Sequence, residues 1–408
     1  MNKPSRELQN PDLTVSKLDG FLSDRVKSVP PSAIRKFFDL ANEMKGQVIS
    51  LSIGEPDFVT PWAIREAGIY SLEQGHTHYS PNQGYIELRQ AICGYLADRH
   101  NLKYDARGEI VISVGGSEAI DLCVRAVINP GDEVIIPEPC FVAYKSCVSL
   151  AGGIPVTVPC LPENDFKLTP DQLKAAITDK TKMLMIGYPN NPTGAVMSRS
   201  ELEELADIIR EHQIIVVSDE LYAELTYEPA HHDSIITLPG MRERSILIGG
   251  FSKAFAMTGW RIGYACGPEI LISAMNKIHQ YAIMSSPSTA QDAAVEAMKN
   301  SERHIAPMRD EYNRRRRFVV NACRDAGLQC FEPLGAFYVF PDIRRTGMTS
   351  TEFCERFLNE EKVAIVPGNA FGECGEGFVR ISYAASMDNI REAMSRLKTF
   401  VARSINNV

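Results

Sequence analysis

Paired cysteines, tryptophan, surplus positive charge and long apolar runs are what this chain has least of. Only 2 tryptophans occur in 408 residues, and no apolar run approaches the ~18 residues of a membrane span. The 10 cysteines are scattered, with no C-x-x-C and no Cys/His spacing suited to zinc. Cys140 and Cys147, a close pair with some pattern, read as small buried thiols, and His231–His232 and His76/His78 lack a ligand framework. A reducing cytosol and no metal are the expectation. The opening MNKPSRELQN is polar and lacks the apolar core of a signal peptide. Lys and Arg total 43 against 51 Asp and Glu, for a net charge of −8, which argues against nucleic acid as the main partner. The one basic cluster, RRRR at 314–317, follows Asp310 and Glu311 and reads as a solvated helix face.

What is present is globular. Hydrophobic residues make up 44% and charged residues 23%, and the length exceeds one ordinary core, so two domains are expected. Short β-rich runs stand at EIVISV (109–114), DEVIIP (132–137), IPVTVP (154–159), KMLMIG (182–187), IIVVSD (214–219), SILIGG (245–250) and RIGYAC (261–266). Several are apolar on both faces, as in a parallel sheet covered by helices. Amphipathic segments lie between most of them. In 198–212, for example, Leu202, Leu205, Ile208 and Ile209 make one stripe. RIGYAC follows SILIGG too closely for a helical crossover, so one of the two is expected to run antiparallel. The segments before about 55 and after about 305 read as a second, smaller unit with strand-like pieces at 335–340, 362–368 and 377–384.

Ligands of open α/β sheets bind beyond the carboxyl ends of the strands, and the polar punctuation falls there. In GGFSKAFAMTGWRIGYACG (249–267), Lys253 ends an apolar strand and Arg261 follows. A lysine desolvated enough to lose its proton can condense with a carbonyl, and an arginine fork can neutralise a phosphate. After EIVISV, GGSEAI offers Gly116, Ser117 and a helix N-terminus, either a phosphate seat or a plain capped turn. PEPCFVAY puts Phe141 at a strand end, as a stacking ring or as core. In YPNNPTG, Asn191 precedes a proline that holds it out of the helical region; a turn-forming Asn-Pro explains it equally. Asp219 ends IIVVSD with Tyr222 three residues on. A carboxylate there needs a cationic or N–H partner; the protonated nitrogen of a pyridine ring is one candidate, a helix cap the alternative.

Taken together, the chain resembles the class I/II aminotransferases of the pyridoxal-phosphate (PLP) fold type I superfamily, in the bacterial aspartate/aromatic subgroup. The resemblance runs from about Val29 to Leu397 and is carried by LSIGEPDF (51–58), YPNNPTG, SDELY, SKAFAMTGWRIGYACG and PGNAFG…GFVRISYA (367–384). It implies an α/β fold, with a mostly parallel seven-stranded sheet in a large α/β/α domain at 56–304. Residues 1–55 would form an arm and part of a smaller α+β domain, completed by 305–408. It further implies that Lys253 carries the cofactor aldehyde, that Asp219 holds the pyridine nitrogen and that Asn191 and Tyr222 contact the ring oxygen. Phe141 would stack on the ring. Gly116, Ser117, Ser252 and Arg261 would hold the phosphate, with Tyr79 reaching it from the neighbouring subunit of a homodimer. Arg380 and Gly54 would grip the substrate α-carboxylate.

The implied activity moves an amino group from an L-amino acid to a 2-oxo acid by a ping-pong mechanism in the cytoplasm. Two positions depart from relatives. Ser117 stands where some that use acidic substrates carry lysine. Gly250 stands where others carry serine, and whether Ser252 compensates is open. Phe38, Phe337 and Phe371 suit an aromatic substrate side chain or simply fill a core. Broad donor specificity with 2-oxoglutarate as acceptor is the expectation. A PLP-dependent C–S β-lyase of the same fold is the alternative. A regulator's ligand domain is disfavoured, because only about 28 residues precede the resemblance and none forms a basic helix-turn-helix pattern.

Overall fold

The computed structural model describes residues 18–31, 44, 46 and 48–406; the opening decapeptide and Phe38 lie outside the described residues. All seven β-rich runs become strands of one sheet: β2 (Ile110–Ser113), β3 (Glu133–Glu138), β4 (Ile154–Pro159), β5 (Thr181–Gly187), β6 (Ile215–Asp219), β7 (Ser245–Gly250) and β8 (Gly263–Cys266). β1 (Ile49–Ser50) precedes them outside this sheet. The spatial order is β2-β8-β7-β6-β5-β3-β4. β3 to β7 run parallel, and β8 is antiparallel to both β2 and β7. The short 251–262 connection contains turns and no crossover helix, which forces that reversal. Every residue of β2 is buried, as expected of a strand covered on both faces. Edge strand β4 is largely exposed and carries its prolines where ladder donors are dispensable.

Helices cover both faces. Arg199–Arg210 opens with a reciprocal capping box between Ser198 and Glu201 and buries Leu202, Leu205, Ala206 and Ile209. Ile208, expected in the stripe, is only partly buried at its margin. A second cluster, around Phe337, Phe353, Phe357 and Phe400, joins residues 49–58 to the C-terminal part of the chain. There β1 pairs in parallel with β10 (Val363–Ala364). The antiparallel set β11 (Val366–Pro367), β12 (Val379–Ser382) and β9 (Tyr338–Val339) lies alongside. Among the described residues, no helix is long and apolar enough to cross a membrane.

The arginine run corrects one expectation. It lies on the helix Ser301–Asp325; Arg314 and Arg317 face solvent, whereas Arg315 and Arg316 are buried. Arg315 donates to Asp57 Oδ1 at 2.7 Å and Glu311 Oε1 at 2.8 Å. Arg316 pairs with Glu332, donates to the Pro333 carbonyl at 3.1 Å and lies over the Tyr227 ring. Four consecutive helical positions point around the whole axis, so two of them meet the core. Paired carboxylates make that burial tolerable.

Candidate active site

The parallel strands end together at the edge occupied by Gly187, Asp219 and the turn after β7. A cavity of about 480 Å³ opens there, with Arg380 of β12 forming its far wall. Every residue expected to hold the cofactor or the substrate carboxylate lines this cavity except Tyr79. Tyr79 is 83% exposed on the outer surface.

Lys253 Nζ donates to the Gly54 carbonyl at 2.5 Å. Burial, reinforced by the positive charges of Arg380 and Arg261, lowers its ammonium to about 8 against the opposing pull of Glu55 and Asp219. A free amine is therefore accessible near neutrality. Asp219, at the end of β6, is pushed the other way, to about 6, by burial. The Tyr144 hydroxyl, donating to Oδ2 at 2.6 Å, and the Leu221 N–H, donating to Oδ1 at 3.2 Å, only partly offset this.

Arg380 is 2% exposed and, among the described residues, pairs with no carboxylate. It donates to the Asn191 side-chain oxygen at 3.0 Å and the Ser52 carbonyl at 2.6 Å, and its Nε has no partner among the described residues. Its charge lies between the Tyr338 and Phe371 rings, at 4.5 and 4.8 Å. Burial draws the guanidinium below its usual range. A desolvated cation with an idle donor is suited to a ligand carboxylate.

At the opposite end, Gly115 (φ 81°) starts the helix Gly116–Val127. A Cβ on Gly115 would meet Arg261 Nη2 at 2.7 Å, and one on Gly263 would meet Gly115 C at 2.7 Å. Backbone and guanidinium thus crowd together around free helix N–H groups, a cradle for an anion. Arg261 itself sits at φ 52°, a conformation that L-residues adopt at a cost and that clusters at functional sites. Ser117 and Ser252 line the same region. A Cβ at Gly250 would lie 2.8 Å from Leu221 Cδ2, the free end of a flexible side chain that a small shift would move aside.

Two tyrosines of the lining were not singled out from the sequence. Tyr338 shares a 2.7 Å hydrogen bond with Tyr222, and Tyr144 reaches Asp219. Tyr144 stands three residues after Phe141, a usable spacing signal; nothing in GAFYVF separates Tyr338 from its core neighbours. Phe337 and Phe371 are buried and do not line the cavity. Phe337 packs on Tyr222 and Phe371 on Arg380, so both serve as packing.

An anion cradle, a lysine with a lowered pKa, a buried carboxylate short of a cation and an idle guanidinium donor together fit a phosphorylated pyridine aldehyde and an amino-acid substrate. Residues 46–397 match the family described as aminotransferase class I and II. The chain belongs to this aminotransferase family. The family is PLP-dependent, and the fold is PLP fold type I. The aminotransferase is 48% identical to the aspartate aminotransferase of Pyrococcus abyssi, covering 92% of this chain and 97% of the relative. It is 45% identical to aromatic-amino-acid aminotransferase 2 of Thermococcus litoralis, with the same coverage. The solved aromatic aminotransferase from Pyrococcus horikoshii OT3 superposes with a TM-score of 0.86 at 46% identity, covering 90% of this chain and 99% of that one. The protein is a transaminase acting on amino acids and 2-oxo acids. These relatives differ in the donor they are named for, so likeness leaves the donor open.

Proposed function

We propose that this transaminase takes an L-amino acid from an aromatic, aspartate or broad range as donor and 2-oxoglutarate as acceptor, in ping-pong order. When bound, PLP supplies an aldehyde that condenses with amines and a ring that stores electron density. Lys253 Nζ would be the attachment point and afterwards the base that takes the substrate Cα proton and delivers it to the carbon that was the cofactor's aldehyde. Its value near 8 lets Nζ hold or release a proton close to neutral pH. Arg380, with the Gly54 backbone beside it, grips the α-carboxylate and so fixes the Cα–H bond relative to Nζ. Asp219 keeps the pyridine nitrogen protonated, Asn191 and Tyr222 meet the ring oxygen, and Phe141 stacks on the ring. Gly116, Ser117, Ser252 and Arg261 hold the phosphate. Tyr79, exposed in the single chain, supports a homodimer in which it reaches the partner's phosphate. Residues 56–304 form the cofactor-binding domain, flanked by 1–55 and 305–408, and the enzyme works in the cytoplasm.

The observation that carries this reading is the buried Arg380, without a carboxylate partner among the described residues, across one cavity from Lys253 and Asp219. The test is the absorbance of the PLP-loaded protein on adding single amino acids without an oxo acid. Conversion to the pyridoxamine form by tyrosine, phenylalanine, aspartate or glutamate ranks the donors. Release of pyruvate and ammonia from a cysteine conjugate, without that conversion, would replace the reading with a C–S β-lyase. Lys253→Ala is expected to abolish turnover, and near-wild-type steady-state rates without added amine would defeat the assignment.

A further inference from the structure

Tyr144 is buried at 4% exposure on the helix Ala143–Ala151, 75 positions from Asp219 in sequence. Its hydroxyl reaches Asp219 Oδ2 because of what β5 omits. The parallel register sets Gly187 of β5 opposite Asp219 of β6. A Cβ on Gly187 would stand 2.5 Å from Tyr144 Oη, 3.5 Å from Tyr144 Cζ and 3.6 Å from the Asp219 Cβ. Only the hydroxyl oxygen is in conflict, since the other two distances are ordinary contacts. The missing side chain at 187 is therefore the passage that the phenol uses. The same ring meets Phe141 edge-on, with centroids 5.8 Å apart and planes at 84°, so one tyrosine braces both the ring-stacking and the ring-nitrogen positions.

We propose that Tyr144 is a positioning residue that holds the Asp219 carboxylate toward the cofactor's pyridine nitrogen, and that position 187 is glycine to let its hydroxyl through. This rests on the role given to Asp219 above. The phenol donates one hydrogen bond to Oδ2 and the Leu221 N–H one to Oδ1. The carboxylate is thus tethered at both oxygens and cannot rotate away from the ring without breaking a bond.

Tyr144→Phe, Gly187→Ala, the double variant and Asp219→Asn are compared as PLP-loaded proteins. The readouts are the PLP dissociation constant, the pH midpoint of the bound chromophore's absorbance change, and urea unfolding. A hydrogen bond to a charged group implies about ten- to hundredfold weaker PLP binding in Tyr144→Phe, with a displaced midpoint. Gly187→Ala should reproduce both effects. In the Tyr144→Phe background it should add almost nothing to either affinity or stability, because the clashing oxygen is gone. Tyr144→Phe holding wild-type affinity and midpoint while Asp219→Asn changes both would overturn the role of Tyr144 alone. Asp219→Asn leaving both unchanged would instead overturn the reading of Asp219. Equal effects of Gly187→Ala in the two backgrounds would sink the passage argument, and if Tyr144→Phe does not fold, Gly187→Ala holding wild-type affinity and midpoint would overturn the proposal instead.

Discussion

Asp219 and Glu220 are adjacent in the chain and almost equally buried, at 8% and 7% exposure, yet they face opposite sides of one turn and behave oppositely. Burial pushes both upward. Asp219, with a phenol and one N–H as donors, rises to about 6. Glu220 ends below the usual carboxylate range because His232 Nε2 at 2.8 Å, the Ser234 hydroxyl at 2.5 Å and the charge of His100 overcome the same burial; the Ser218 hydroxyl also donates to it at 2.9 Å. Glu224, one turn on, is likewise served by Arg99, His100 and Tyr95 and held at about 2. The rear of the segment is electrostatically complete; its front is short of a cation. Proteins rarely leave a buried carboxylate unsatisfied, so the deficit marks where a ligand belongs, and the complete rear is what can hold the deficit in place.

The sharpest way to break this contrast is Asp219→Asn. Removing one partner of a buried pair costs about 3–5 kcal/mol, or roughly 10²–10⁴ in kcat/KM at saturating PLP, and an unchanged value would erase the distinction between the faces.

The mirror experiment is Glu220→Gln, which strands His232 and should cost about 3 kcal/mol in urea unfolding near pH 6. Its sign follows from both partners. The lowered Glu220 contributes stability above its ordinary 4.5 and loses it as pH falls through the folded value. The raised His232 contributes below its ordinary 6.5 and loses it as pH rises through the folded value. The pair is therefore worth most between about 4.5 and about 6.5, and a Glu220→Gln cost that does not shrink outside that window would refute the account.

The third effect is the subtlest. In the PLP-free protein the raised Asp219 is a burden: absent below its ordinary 3.8, growing as pH rises, complete above about 6. Asp219→Asn should then stabilise the PLP-free protein by up to about 3 kcal/mol at pH 8 and by nothing near pH 3. Denaturation midpoints with and without PLP would decide it, since the gain should vanish or reverse once the cofactor is bound.

How much of this was legible beforehand differs by residue. The strand runs, the reversal of RIGYAC and the grouping of Lys253, Asp219, Asn191, Tyr222 and Arg261 at strand ends were readable, because apolar periodicity and strand-end punctuation are local properties; Arg380 came from the family resemblance alone. Arg315 and Arg316 were misread, because a run of like charge does not disclose which two members meet Asp57 and Glu332. Tyr144 and Tyr338 were missed for a related reason: a tyrosine in a β-rich or helical run reads as core until its hydroxyl has a partner.

By itself, the sequence determined the order of strands and helices, the glycines at the anion cradle and the chemical types that meet at the strand ends. Each follows from neighbours within a few positions. Tertiary structure alone decided which carboxylate is complete and which is not, that Arg380 pairs with Asn191 from 189 positions away rather than with an acid, and that Gly187 clears a path for Tyr144. Burial and partnership are properties of contacts between distant segments. They set the charge state of Lys253 and Asp219, and so whether these residue types can act at neutral pH.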